Sequence, residues 1–232
     1  MKRLGLVGGL GPESTIDYYR KIIQSWVEIQ PDTLPAVLID SLDVNRGIEL
    51  VRNDHDGLVE YLLESLHRLK RAGCDLAAMA ANTPHLVFDA LADRSPLPLV
   101  SIVEAAAENA RAEGYGRVGL LGTGFTMGST FYQKTYSRIG IEVVVPPAED
   151  RDWLQERYLG ELLKGVFRDE TREGVQRLIA DLEREQGVDA VLLAGTELPL
   201  LVSSESVAGV PLVDTGAVHI AAILRQLTAV AP

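Results

Sequence analysis

Arg3-Leu4-Gly5-Leu6-Val7-Gly8 returns in the chain as Arg117-Val118-Gly119-Leu120-Leu121-Gly122, at an offset of 114 residues (117 less 3). Tyr18 meets Tyr132 and Arg20 meets Lys134 at the same offset. Further on, Gly73-Cys74-Asp75-Leu76-Ala77-Ala78-Met79-Ala80-Ala81-Asn82-Thr83 is answered by Gly187-Val188-Asp189-Ala190-Val191-Leu192-Leu193-Ala194-Gly195-Thr196-Glu197, again 114 residues away (187 less 73). A third block, Leu97-Pro98-Leu99-Val100, pairs with Val210-Pro211-Leu212-Val213 at 113 (210 less 97). Blocks held in nearly constant register across a chain are the mark of an internal repeat. The sequence is therefore read as two homologous halves, expected to be related by a pseudo-twofold axis.

Each half has the same plan. A buried strand (3–8, 117–122) runs into a turn of small residues and then an amphipathic helix, with Tyr18, Ile22 and Trp26 at core spacing in the first half. A second strand follows, Ala36-Val37-Leu38-Ile39-Asp40 or Ile141-Glu142-Val143-Val144-Val145. The next helix is clearest over 57–72, where Leu58, Leu62, Leu66 and Leu69 form one stripe and Glu60, Glu64, Arg68 and Lys70 lie outside it. Near-continuous apolar strands separated by helices indicate parallel sheets covered on both faces. The expected fold class is α/β, with two pseudo-twofold-related parallel-sheet domains.

The 232 residues are enough for one large α/β domain or two smaller ones, each burying a core. A composition 47% hydrophobic and 24% charged is that of an ordinary globular protein rather than a disordered or fibrous one. Thirty-three carboxylates against 22 Lys and Arg give a net charge of −11, which repels nucleic-acid phosphate and anionic membrane surfaces at long range. One cysteine, Cys74, forms no intrachain disulfide. The apolar run after Met1-Lys2-Arg3 is cut by glycines too early for a signal-peptide core, and no run approaches the roughly 20 apolar residues of a spanning helix. The expected address is the cytoplasm. His55, His67, His85 and His219 lack metal-ligand spacing, so no metal site is expected.

Ligands of open parallel sheets bind beyond the carboxyl ends of the strands. That directs attention to four turns: 8–15 (Gly-Gly-Leu-Gly-Pro-Glu-Ser-Thr), 81–85 (Ala-Asn-Thr-Pro-His), 122–126 (Gly-Thr-Gly-Phe-Thr) and 195–198 (Gly-Thr-Glu-Leu). Backbone N–H groups at helix starts, with Asn82, Thr83, Thr123, Thr126 and Thr196, are donors suited to a carboxylate. The plainer reading, that Ser14, Asn82 or Thr196 only caps a helix, is the better one for any single residue. For turns matched at the repeat offset, a shared ligand cleft is expected.

Taken in order, Val7-Gly8-Gly9-Leu10-Gly11-Pro12, Ala80-Ala81-Asn82-Thr83-Pro84-His85, Leu121-Gly122-Thr123 through Thr126, and Ala194-Gly195-Thr196-Glu197 resemble the four signature turns of the cofactor-independent aspartate/glutamate racemase family. The resemblance spans essentially the whole chain. It implies two α/β domains with an acidic amino acid between them, no cofactor, and commonly a homodimer. It also implies a C-terminal return, so that the first domain comprises 1–98 plus 212–232 and the second 99–211. Racemisation in that family uses two cysteine thiols, one on each side of Cα. This sequence departs at both positions, with Ala81 before Asn-Thr and Gly195 before Thr-Glu. Neither a methyl group nor a hydrogen can accept a proton. Cys74 lies seven residues before Ala81 on the same strand, roughly 20 Å away, and reads as a small buried hydrophobe.

His85 and Glu197, each just beyond one of those positions, are the candidate acid/base pair in their place. Their plainer readings are a histidine bonded to a neighbouring carbonyl and a carboxylate at a helix start. Arg46 and Lys164 are the candidate partners of a substrate side-chain carboxylate, a local reversal of charge in an acidic protein; the alternative for both is a solvated surface. Four functions are kept in view. The first is an amino-acid racemase-type isomerase using other groups. The second is a non-catalytic small-carboxylate binding protein that kept the pocket and lost its bases. The third, a decarboxylase-like lyase, also wants a thiol. In the fourth, a dinucleotide site with Asp40 on the ribose, Ser14 stands where the third glycine belongs and Asp40 follows Gly11 by 29 residues where about 20 is usual.

Overall fold

The computed structural model describes residues 2–229. Contacts divide the chain into two compact units, one running to Ile102 and resuming at His219, the other spanning Val103–Val218.

The first unit opens with β1 (Arg3–Gly8), buried from Leu4 onward. Pro12 occupies the first position of α1 (Pro12–Ile29), where its missing N–H costs no hydrogen bond. The helix buries Tyr18, Ile22 and Trp26 at four-residue spacing. After β2 (Ala36–Ser41), the Asp43 carboxylate caps α2 (Val44–Asn53) by accepting the Asn45 N–H at 2.8 Å. Asp54 caps α3 (His55–Arg71) in the same manner, accepting the Gly57 N–H at 2.8 Å. Leu58, Leu62, Leu66 and Leu69 of α3 are all buried, as the periodicity predicts. Then come β3 (Leu76–Met79), a 3-10 turn over Thr83–Val87, α4 (Phe88–Arg94) and β4 (Leu99–Val100). The sheet is wholly parallel, in the order β2-β1-β3-β4.

After α5 (Ile102–Ala112), the second unit repeats the scheme. It runs through β5 (Arg117–Gly122), α6 (Gly124–Gly128), α7 (Phe131–Ser137), β6 (Glu142–Val144), α8 (Ala148–Gly160), a 3-10 turn at Leu162–Lys164, α9 (Asp169–Gln186), β7 (Ala190–Ala194), α10 (Leu198–Leu201), β8 (Ser206–Val207), β9 (Val210–Asp214) and α11 (Thr215–Thr228). Its sheet order is β6-β5-β7-β9-β8, parallel except for the short antiparallel β8. Registers match at the offsets of the three blocks, 114 for the first two and 113 for the third: Leu4 faces Leu76 and Val118 faces Ala190, while Ala77 faces Leu99 and Val191 faces Leu212.

A side-chain clamp is duplicated with them. The Asp75 carboxylate accepts the Arg3 N–H at 2.6 Å, and Arg3 Nη1 donates to the Ala72 carbonyl at 2.9 Å. In the second unit Asp189 accepts the Gly116 and Arg117 N–H groups at 2.7 and 2.8 Å, and Arg117 Nη1 donates to the Gln186 carbonyl at 2.7 Å. These backbone donors hold the Asp189 carboxyl below its ordinary pKa of 3.8. The helices leading into both clamps end on a glycine in the left-handed region, Gly73 at φ 84 and Gly187 at φ 61.

The C-terminal return starts later than the sequence reading has it. Val210–Asp214, including Leu212 and Val213, pairs with β7 in the second sheet, and residues rejoin the first unit only from His219. The repeat itself explains this, since Leu212-Val213 is the counterpart of Leu99-Val100 and must close its own sheet. Thr215 at the start of α11 donates to the Leu193 carbonyl at 2.9 Å. Past His219, Ile220, Ile223, Leu224 and Leu227 join Leu4, Leu6, Tyr18, Ile22, Trp26 and Leu76 in the first unit's core. Among the described residues no helix is long and apolar enough to cross a membrane, and no group of three His, Cys, Asp or Glu could hold a metal ion.

His219 fastens that return. Its Nε2–H donates to the Val100 carbonyl at 2.9 Å, while Nδ1 accepts the Tyr18 hydroxyl at 3.0 Å. Accepting at Nδ1 requires the neutral ring, and burial pushes its pKa down to about 4. The unfolded chain takes up this proton near pH 6.5, so the contribution to stability is whole above that pH. It is lost as pH falls toward 4, at about 1.4 kcal/mol per pH unit. Urea titrations of the wild type between pH 7 and 4 should show this decline and His219→Asn a shallower one; parallel curves would remove His219 from the account.

Candidate functional site

Each unit presents two turns at the carboxyl ends of its middle strands. In the first unit, the hydroxyls of the β1 turn are spent on the chain itself. Thr15 Oγ1 accepts the Gly9 N–H at 2.9 Å and donates to the Gly11 carbonyl at 3.0 Å, to which Ser14 also donates at 2.8 Å. The β3 turn holds Ala81, Asn82 and Thr83; Ala81 and Asn82 are buried and Thr83 is half-buried. Asn82 stands at the start of the 3-10 turn, and its carbonyl accepts the His85 N–H at 2.9 Å.

His85 is not available as a base. Its Nδ1–H donates to the Ala81 carbonyl at 3.1 Å, and its Nε2 accepts the Ile102 N–H at 3.2 Å. The ring stacks on Phe88 at 5.1 Å between centroids. Burial, with His219 nearby, pushes its pKa down to about 3. Both nitrogens are committed to backbone, so the residue shapes the turn and the plainer sequence reading is the correct one. Arg46 is likewise corrected: it lies on exposed α2 with Nη1 2.8 Å from Glu49 Oε2, an i,i+3 surface pair. Asp40 is held by Arg68, Nη2 to Oδ2 at 2.8 Å, rather than free for a ribose.

In the second unit, the β5 turn is also self-satisfied. Thr123 caps α6 by accepting the Thr126 N–H at 3.2 Å, and the two hydroxyls lie 3.1 Å apart. The N–H of Gly124 donates to Gln155 Oε1 of α8 at 2.5 Å. Lys164 is exposed at the end of its 3-10 turn.

The β7 turn holds a buried polar cluster. Glu197 is only 2% exposed, and its Oε2 accepts the Tyr158 hydroxyl, while Thr196 Oγ1 donates to the same oxygen at 3.2 Å. The Glu197 N–H points back at the Tyr158 oxygen, 3.4 Å away. Burial and the adjacent carboxylate raise the Tyr158 phenol well above its ordinary pKa of 10.0. Tyr158 also explains Gly195. A Cβ at residue 195 would lie 2.7 Å from Tyr158 Cε2 and 2.9 Å from Cζ, with the hydroxyl oxygen closer still. The phenol stands where a side chain of residue 195 would begin.

The sequence reading names Thr196 and Glu197, which share the β7 turn, and does not name Tyr158 or Gln155. Both come from α8, one turn apart, and both reach turns at strand ends. The available signal was Gly195 itself: a missing side chain at a buried strand end leaves a volume that a large residue elsewhere must fill.

Two doubly covered parallel sheets, repeated in one chain and ending in paired Asn/Thr and Thr/Glu turns, define a duplicated α/β protein with its chemistry at the strand ends. The chain belongs to the Asp/Glu/Hydantoin racemase family, whose model matches residues 7–223. The broad specificity amino-acid racemase RacX of Bacillus subtilis (strain 168) is 26% identical over 230 residues, covering 92% of this chain and 93% of that protein. The crystal structure of an aspartate racemase homologue from Pyrococcus horikoshii OT3 is 34% identical, with a TM-score of 0.83 over 99% of this chain and 100% of that one. A Yersinia pestis structure provisionally described as an Asp/Glu racemase is 33% identical, with a TM-score of 0.88 over the same shares.

Because a Cβ at 195 would lie within 3.0 Å of Tyr158, Gly195→Ala should destabilise the protein by about 1–3 kcal/mol, the usual cost of overpacking a full core. Adding Tyr158→Leu should return part of that loss. Additive effects in the denaturation cycle would show that the two positions do not compete for one volume.

Proposed function

We propose that this chain is a racemase-type isomerase acting at Cα of an acidic amino acid such as aspartate or glutamate, without a cofactor. One observation carries the reading: the same turn is built twice, beyond β3 and beyond β7, at equivalent registers. A reaction that interconverts mirror images calls for equivalent groups on opposite faces of one carbon, and a duplicated fold supplies equivalent positions. Asn82, Thr83 and Thr196 are the polar groups of these turns that would hold the α-carboxylate and α-amino group, with Thr123 and Thr126 fixing the β5 turn. Lys164 remains the exposed cation for the substrate's second carboxylate, since Arg46 is engaged by Glu49. With one buried cysteine, the cytoplasm is the compartment that fits.

Ala81 and Gly195 favour a second reading, a non-catalytic small-carboxylate binding protein, because neither residue can exchange a proton. One experiment separates the two. Incubation with L- or D-aspartate and L- or D-glutamate in D2O, followed by proton NMR, should show loss of the Cα–H signal. A thermal shift by these ligands with the Cα–H signal intact would select the binding reading instead.

A homodimer is part of the same proposal. Ile16, Tyr19 and Val27 are 52%, 47% and 42% exposed along one side of α1, with Ile23 half-buried between them, an apolar stripe of the kind that marks a contact surface. Light scattering should give twice the chain mass, and Tyr19→Glu with Val27→Glu should halve it; a wild-type monomer at tens of micromolar would end this part of the proposal.

A further inference from the structure

We propose that Arg151 and Gln155 of α8 form a binding site for the carboxylate of a small acid at the carboxyl end of the second sheet. The site needs no reaction at Cα and stands under either reading above. β6 ends at Val144, level with Gly119 of β5, and α8 begins at Ala148. The first turns of α8 therefore lie at the strand ends, where open parallel sheets bind their ligands. Residues 151, 155 and 158 share one face of that helix. Two of the three reach partners at strand ends. Gln155 Oε1 accepts the Gly124 N–H beyond β5, and the Tyr158 hydroxyl donates to Glu197 beyond β7.

Arg151 occupies the same face one turn before Gln155 and is left without such a partner. Its Nε is buried with no hydrogen bond, and its guanidinium makes no ion pair among the described residues. Glu149, Asp150 and Asp152 are close in sequence, but neighbours one or two positions away on a helix do not face each other. On its own face, Gln155 has already given its oxygen to Gly124. A buried donor without an acceptor is costly in a folded protein, and a ligand that brings the acceptor removes that cost.

The arrangement also selects the ligand. The Nε–H and one Nη–H of an arginine point in parallel and match the two oxygens of a carboxylate. Because Gly124 holds Gln155 Oε1, the amide is oriented, and its Nε2 hydrogens have no partner among the described residues. They are a second donor one turn from the first. Arg151, Gln155, Gly124 and Phe125 are each half-buried, so this place is open to solvent. One guanidinium among Glu149, Asp150, Asp152 and Glu156, on a chain of net charge −11, repels a compact multiply charged anion such as phosphate. A single carboxylate brings two acceptors with one charge.

The test is a titration with propionate followed by proton–nitrogen NMR at the Arg151 Nε–H and the Gly124 N–H. Propionamide, sodium chloride at equal ionic strength and sodium phosphate are the comparison solutes. Propionate should shift both signals saturably, and the comparison solutes should not. Arg151→Lys keeps the charge without the fork and should weaken the response at Gly124 about tenfold or more. Gln155→Glu keeps an acceptor for the Gly124 N–H and places a carboxylate one turn from the guanidinium. It should abolish the response to propionate and itself shift the Arg151 Nε–H as propionate does in the wild type. Thermal melts report folding of each variant; should Arg151→Lys fail to fold, Gln155→Glu carries the test. An unresponsive Nε–H, a response matched by propionamide, chloride or phosphate, or wild-type affinity in a folded variant overturns the site. None of these outcomes bears on Cα exchange, by which the isomerase reading is judged.

Discussion

The architecture depends on an aspartate at the start of each central strand accepting backbone N–H groups from the strand beside it. Asp75 holds the first residue of β1, and Asp189 holds Gly116 and the first residue of β5. An arginine from the held strand ties back to the preceding helix end in both places. Parallel strands have no hairpin to set their alignment, so a slip of one residue would turn every side chain to the other face. The clamp prevents that slip at the amino ends. With the register set, Val7 is level with Met79 and Leu121 with Leu193, and the turns that follow emerge side by side at the carboxyl ends.

Most polar groups in those turns then serve the turn itself. Thr15, Ser14 and Thr123 bond backbone groups within a few residues, and His85 ties its own turn to the backbone at Ile102. Buried hydroxyls and imidazoles in such a place must be satisfied whether or not a ligand is present. This separates residues that build the site from those left to act in it. Counting polar side chains near a strand end overstates the chemistry available there. In the second unit the distinction narrows attention to Thr196, Glu197 and the tyrosine that reaches them from α8.

Sequence carried the fold well because repetition is long-range information stated in local terms. Three blocks at offsets of 114, 114 and 113 residues define both sheets before any strand is paired, and the residues of β1, β3, β5 and β7 are apolar enough to be read as buried. The return of the chain begins later than the resemblance implies because the repeat's own register gives Leu212 to the second sheet. The site was harder to read. The turns were found, but the side chain filling one of them comes from α8, a segment rich in charge whose buried face is little more than Leu154 and Tyr158. Nothing in Ala148–Gly160 announces that its tyrosine ends against a glycine 37 residues later (195 less 158). His85 carried the opposite difficulty. A histidine beside a candidate site invites a catalytic role, and only the positions of Ala81 and Ile102 reveal that its ring is structural.

The exchange of volume between Gly195 and Tyr158 also constrains how such a sequence changes over time. Any β-carbon introduced at 195 meets the Tyr158 ring and hydroxyl at less than 3.0 Å, so a larger residue is not accepted there first. The tyrosine has to shrink or move beforehand, and that intermediate would carry a hole beside the Glu197 carboxylate. The order of two changes is thereby fixed. Enlarging this position by design must likewise begin on α8, with the strand end altered second.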